Sequence, residues 1–297
     1  MTTIYLKPHK EESLKRFHPW VFSGAIARVV LDASHKGDAP EEGELVCVRS
    51  AANEVLGVGH WQVGSIAVRI LAFGEEELPK DFWHERIRAA YQVRNAIGLI
   101  RPDNDTFRLI HGEGDFLPGL IVDVYADTAV VQAHSVGMHC NRMDIADALM
   151  RVMGDRIKGI YYKSETTLPF KADIDRGNGY IMGGPTDDTP LEYGMKMPVD
   201  WISGQKTGLF IDQRENRALL ERYSKGRSVL NMFCYTGGFS LAALRGGAKL
   251  VTRLTVRHVP LNSPLAEWRI ISPAIPVMRL LPRMLSSIWS AWIPSMT

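Results

Sequence analysis

The stretch VLNMFCYTGGFSLAALRGGAKLV at 229–251 carries residue types whose spacing suits ligand chemistry. It reads as a strand, a turn with paired glycines, a helix and the start of another strand. Gly237 and Gly238 carry no side chain, so a ligand can approach the backbone closely where the first strand hands over to the helix. A pyrophosphate needs G-x-G-x-x-G at the helix start, and a triphosphate needs the Walker lysine; CYTGGFS matches neither, which argues against NAD and ATP. A cofactor without phosphate, S-adenosylmethionine for one, needs only bare backbone and a polar group at the strand end, here Asn231. For an isolated TGG, tight helix–strand packing is the stronger rival explanation.

The elements that must position these residues follow from periodicity and breakers. Residues 1–77 hold short β-like runs, ELVCVRS, VLGVGHW and SIAVRILAF, separated by Gly and polar turns, which suits a small β-barrel. Residues 78–189 read as a central α+β domain. It has a helix over 81–100, a turn and two strands over 107–135, a helix over 139–153, a strand over 159–164 and a loop over 173–190. From 190 to 251 a hairpin, a helix over 212–223 and the strand, glycine turn, helix, strand series form the entry unit of a doubly wound α/β fold. Asp212 near that helix's start and Gly226 beyond its end are the expected punctuation.

Composition narrows the class without naming a partner. A chain of 297 residues is long enough for two or three domains, and a formal charge of +2 is only mildly basic. The N-terminus has no apolar run behind its basic residues, and no stretch reaches the length of a membrane span, so the chain reads as cytoplasmic. Cys47, Cys140 and Cys234 lie far apart with no CxxC pair, which suggests reduced thiols and no metal site.

Taken together, SGQKTGLFIDQRENR and VLNMFCYTGGFSLAALRGGA resemble the class I S-adenosylmethionine-dependent large-subunit rRNA methyltransferases of the cytosine-5 type that carry an N-terminal PUA domain. HPWVFSGAI at 18–26 and RLIHGEGDFLPGLIVDVY at 108–125 are similar to further segments of that family, and the resemblance runs from about residue 4 to residue 251. It implies a PUA-like RNA-binding domain, a central domain and a Rossmann-like methyltransferase domain, with 23S rRNA as partner and S-adenosylmethionine as cofactor. It also implies that Gln205, Lys206, Thr207, Phe210, Asp212 and Arg214 border the cofactor pocket. Asn231, Phe233, Cys234, Tyr235, Thr236 and Gly237 would wrap its methionine end. Without the resemblance, Asp212 and Arg214 read as a helix-start charge and an exposed ion pair. Residues 1–80 hold nine Lys and Arg against eleven Asp and Glu, so an RNA role there rests on the resemblance and on the cluster Lys7, Lys10, Lys15 and Arg16.

The pattern stops after Val251. In this fold the second strand ends in an acid for the ribose hydroxyls, and later strands supply the base pocket. Residues 252–297 hold one acid, Glu267, no Lys, and prolines at 260, 264, 273, 276, 282 and 294, which oppose a continuing sheet. One choice of permitted codons for RLTVRHVPLN (253–262), read from the third base of each, gives Val-Asp-Cys-Ser-Ala-Arg-Ala-Ile-Glu-Leu. A choice in the same frame over PRMLSSIW (282–289) gives Ala-Asp-Ala-Phe-Glu-Tyr-Leu. Residues 252–297 therefore read as an out-of-frame tail.

Three readings follow. The family's catalytic Cys lies on a late strand absent here, so the chain is expected to be a methyltransferase relative without turnover, its catalytic residues unknown. Alternatively it is a non-catalytic RNA-binding protein. A site for a different nucleotide is the weakest reading. Sequence leaves oligomeric state open, a homodimer included.

Overall fold

The structure is a computed structural model; it describes residues 1–33, 35–169, 175, 177–186, 189–232 and 234–253, with the backbone alone at 254 and 278–281. The chain divides into two compact units, Met1–Asp188 and Thr189–Thr297.

The first unit opens with β1 (Thr3–Leu6), α1 (Glu12–Lys15), β2 (Trp20–Phe22), β3 (Ile26–Val30), β4 (Leu45–Arg49), β5 (Val55–Trp61) and β6 (Ile66–Phe73). These strands form one sheet in the order β2-β6-β5-β4-β1-β3, antiparallel except for the parallel β1–β4 pair. Alternate apolar residues turn inward, so Ile4, Leu6, Val46, Val48, Val68 and Ile70 form one core.

α2 (Phe82–Ala96) leads into a second sheet built from β7 (Thr106–His111), β8 (Leu120–Tyr125), β9 (Thr128–Ala133), β10 (Gly159–Tyr162) and β11 (Gly179–Gly183). α3 (Val136–Cys140) and α4 (Arg142–Met153) connect β9 to its parallel neighbour β10. Every residue of β9 and β10 is buried, as expected for strands covered on both faces. Here 107–135 contains three strands rather than two, and the expected loop at 173–190 contributes the edge strand β11. The predicted single helix over 139–153 begins earlier, at Val136, and is split at Asn141.

The two sheets of this unit are joined through His60. Its ring stacks on Trp83, Asn141 Nδ2 lies 3.0 Å from its Nε2, and a Cβ on Gly137 would fall 2.1 Å from its Cγ. Gly137 is thus a glycine because an imidazole fills the space beside it. Trp20 adds a second tie, its indole N–H donating to Glu113 at 2.9 Å.

The second unit begins with the hairpin of β12 (Leu191–Glu192) and β13 (Met195–Lys196). α5 (Arg214–Tyr223), β14 (Ser228–Asn231), α6 (Gly238–Arg245), β15 (Leu250–Leu254) and β16 (Met278–Leu281) follow. β14, β15 and β16 make a parallel three-stranded sheet. The tail, expected not to complete a doubly wound sheet, contributes this third strand: the run between Pro276 and Pro282 is free of proline and apolar enough to extend. The helix expected from 212 starts at Arg214, because Ile211–Gln213 forms a 3-10 turn first. Ala243, Ala248 and Val251 form a small buried cluster beneath α6.

Candidate functional site

The carboxyl end of β14 is built as a tight strand-to-helix turn. Asn231 ends the strand and donates from Nδ2 to Ser240 Oγ at 2.9 Å, tying the strand end to the first turn of α6. Tyr235 has φ 38° and Gly237 φ 95°, both in the left-handed region, so the chain reverses sharply between strand and helix. A glycine takes this conformation without strain; Tyr235 holds it because its side chain is anchored elsewhere. Cys234 and Thr236 are packed inside the turn. Phe233 lies outside the described residues.

The anchor is the loop at 200–210. Asp200 Oδ1 accepts from the amides of Ile202 and Ser203 at 3.1 and 2.8 Å, and its carbonyl accepts from the Gly204 amide, which curls the loop. The Gln205 amide donates to the Tyr235 hydroxyl at 2.6 Å, and that hydroxyl lies 3.2 Å from the Gln205 carbonyl. Phe210 packs edge-on against the Tyr235 ring with centroids 5.2 Å apart. Gln205 and Phe210 are therefore brought to the glycine turn, with Lys206 and Thr207 in the loop between them. Thr207 is buried, while Gln205 and Lys206 are exposed.

Asp212 and Arg214 go elsewhere. Asp212 is exposed and accepts from Gln213 Nε2 at 3.2 Å. Arg214 is buried, with its Nε 3.5 Å from Glu192 Oε2 and its guanidinium over the Tyr193 ring. Its helix neighbour Arg217 holds Glu192 with two bonds of 2.6 Å and donates to the Phe210 carbonyl at 2.9 Å. This buried cluster braces the same loop from behind. Sequence reasoning missed Glu192 and Arg217; the spacing of three between Arg214 and Arg217, which places both on one helix face, was the available signal.

The parallel register sets Asn231 opposite Arg253. Where the fold expects a carboxylate near the end of the second strand, this chain sets a guanidinium. The residues thus fit S-adenosylmethionine only in part: the glycine turn and its bracing loop supply close backbone approach, whereas the described end of β15 has no acid for a ribose. Among the described residues no group of three or more His, Cys, Asp or Glu could hold a metal ion. Burial pushes the thiols of Cys47 and Cys140 up, which disfavours the nucleophilic thiolate.

With the geometry in place, comparison with known proteins places both halves. Residues 4–73 match the model of a PUA-like domain, and residues 166–291 that of an S-adenosylmethionine-dependent methyltransferase, a match that continues past Val251. Ribosomal RNA large subunit methyltransferase I of Tolumonas auensis is 38% identical over 88% of this chain and 64% of its own length. The protein of that name from Pseudoalteromonas translucida is 37% identical over 88% and 65%. The chain spans slightly under two thirds of the length of these curated relatives. Among solved structures, a Streptococcus mutans protein assigned to the SAM-dependent methyltransferases superposes with a TM-score of 0.73 at 21% identity, covering 94% of this chain and 70% of its own. A methyltransferase-class protein crystallised with SAH superposes with a TM-score of 0.75 at 21% identity, covering 96% and 70%. The multidomain α/β class with an N-terminal PUA-like domain and a methyltransferase-type fold is the one expected from the sequence. Among the described residues no helix is long and apolar enough to cross a membrane.

Proposed function

We propose that this chain is a relative of the S-adenosylmethionine-dependent large-subunit rRNA methyltransferases, directed at cytosine C5 of 23S rRNA and, as written, without turnover. The observation that carries the reading is the bond pair between Tyr235 and Gln205, which assembles SGQKTG and CYTGG into one cradle. Two segments separated by an entire helix and strand meet at the carboxyl end of a parallel sheet, the place where open α/β sheets take their ligands. The proposed cofactor-binding residues are those expected from the resemblance: Gln205, Lys206, Thr207, Phe210, Asp212, Arg214, Asn231, Phe233, Cys234, Tyr235, Thr236 and Gly237. Arg214 would contribute by bracing the loop. The cofactor, when bound, supplies an electrophilic methyl group.

Cytosine C5 is a poor nucleophile until a thiolate adds to C6, so the reaction class needs a Cys beside the base. Cys47 and Cys140 lie in the first unit with raised thiols, and Cys234 is packed within the turn. The reading that residues 252–297 are out of frame accounts for the missing nucleophile and the missing strand-end acid together.

RNA binding without chemistry is the second reading, and one feature favours it. Trp20 and Phe22 on the edge strand β2 form a contiguous aromatic group with His18 just before it, and Phe22 and Phe17 are 48% and 65% exposed. Exposed rings of this kind stack on unpaired bases.

The test is incubation of the full chain with methyl-labelled S-adenosylmethionine and unmethylated 23S rRNA. Both readings expect RNA retention on a filter without label transfer, and a chain carrying the alternative frame from codon 252 is expected to label cytosine. Transfer by the chain as written, or label on another base, overturns the proposal.

A further inference from the structure

We infer that Arg217 is a positioning residue that sets the gap between the two halves of the cofactor cradle, and that Gly238 is a glycine in order to admit it; this rests on the reading of the turn as the S-adenosylmethionine site. The paired glycines differ in kind. Gly237 stands at φ 95°, a conformation that side chains oppose, whereas Gly238 opens α6 in helical backbone that alanine accepts. What excludes a side chain at Gly238 is its surroundings: a Cβ there would lie 3.1 Å from Arg217 Cδ, 3.1 Å from Met197 Cε and 3.8 Å from Arg217 Nε. The two shorter distances fall inside the roughly 3.5–4.0 Å at which carbon atoms settle.

The Met197 methyl ends a flexible chain that can repack, but Arg217 is pinned. Its Nε and Nη2 each donate to Glu192 at 2.6 Å, its Nη1 donates to the Phe210 carbonyl at 2.9 Å, and the whole residue is buried. One side chain therefore touches three separate pieces of chain: the β12–β13 hairpin through Glu192, the loop ahead of α5 through Phe210, and the first residue of α6 through its stem. The rigid, planar fork of the guanidinium permits this, since its donors leave in fixed directions.

The loop and the turn are thus joined twice. One tie is the packing of Phe210 on the Tyr235 ring, with the Tyr235 hydroxyl on Gln205; the other is Arg217, which holds the Phe210 backbone and abuts the start of α6. Phe210 is fixed at its ring and at its carbonyl, so the distance from loop to turn is set before any ligand arrives. A ligand that meets a pre-set cradle is spared the cost of ordering it. Lysine at 217 would keep a cation opposite Glu192, yet it has no fork with which to hold Glu192 and Phe210 together.

The experiment is titration calorimetry of the full chain with S-adenosylhomocysteine, comparing the native protein with Arg217→Lys, Gly238→Ala and the two combined. Each is measured well below its thermal midpoint, so that the folded protein is what binds. The inference expects affinity to fall by about tenfold in each single variant. It expects the combined variant to match Arg217→Lys, because a lysine stem without the fork moves aside for the added methyl. Native affinity in either single variant, with only the thermal midpoint lowered, shows a purely structural role and overturns the inference; so do losses that multiply in the combined variant. Both results leave the cofactor reading intact. If the native chain does not bind the ligand, the cofactor reading itself falls and the inference with it.

Discussion

The Tyr235 hydroxyl holds the Gln205 backbone from both sides, accepting from its amide at 2.6 Å and lying 3.2 Å from its carbonyl. One side chain, itself in a left-handed conformation, fixes a loop thirty positions earlier. Tyr235→Phe keeps the ring against Phe210 and removes only the hydroxyl. It should cost about 1–2 kcal/mol of local stability. Hydrogen exchange at the Gln205 amide should accelerate by about tenfold, with affinity for S-adenosylhomocysteine falling alongside. Unchanged exchange at that amide contradicts this role.

Arg217 and Glu192 form a buried two-bond ion pair whose third donor reaches the Phe210 carbonyl. Removing one partner leaves a buried charge short of a partner, so Arg217→Ala should destabilise the second unit by about 3–5 kcal/mol. The double change Glu192→Leu with Arg217→Met should cost less, because the two-bond pair is then removed whole and only the longer Arg214 contact to Glu192 is lost. Denaturant unfolding of the three proteins checks the order; equal losses for single and double variants would contradict it.

His60 gives the first unit an acid-side weakness. Burial pushes its imidazole down to about 4, and its Nδ1 has no hydrogen-bond partner among the described residues. The folded state holds it neutral, whereas the unfolded chain protonates near the ordinary value of 6.5. Between these values the unfolded state binds more protons, so this group's contribution falls as pH drops from about 6.5 to about 4 and is fully present above 6.5. The loss amounts to roughly 3 kcal/mol across that window. His60→Gln should be less stable at neutral pH and show a shallower pH dependence between pH 6.5 and 4, measured by urea unfolding. An unaltered slope contradicts the assignment.

What the sequence disclosed and what it hid have physical reasons. The turn at 231–238 was legible because paired glycines between an apolar strand and an amphipathic helix have few other uses. Gly226 likewise marked the end of α5, at φ 70°. The β8–β9 hairpin was not legible, since its two turn residues are Ala126 and Asp127 rather than Asn-Gly, yet Ala126 adopts φ 53° all the same. β11 was hidden because GNGYIMGG reads as a run of breakers, although an edge strand tolerates glycine. The Glu192–Arg217 pair spans 25 positions, and a pair so distant leaves no local periodicity to read. The resemblance supplied the names of the loop residues; the geometry shows Arg214 turned toward Glu192 rather than toward the turn.

The decisive measurement is the nucleotide sequence of the gene across codons 245 to 297 and beyond. A clean alternative frame after codon 251 is expected, one that encodes Val-Asp in place of the Arg253 region and continues into a downstream cysteine segment. A single frame that stands as written, with stop codons interrupting the alternative, would contradict the claim that this chain carries half of a methyltransferase site whose partner half is lost to a shift of frame.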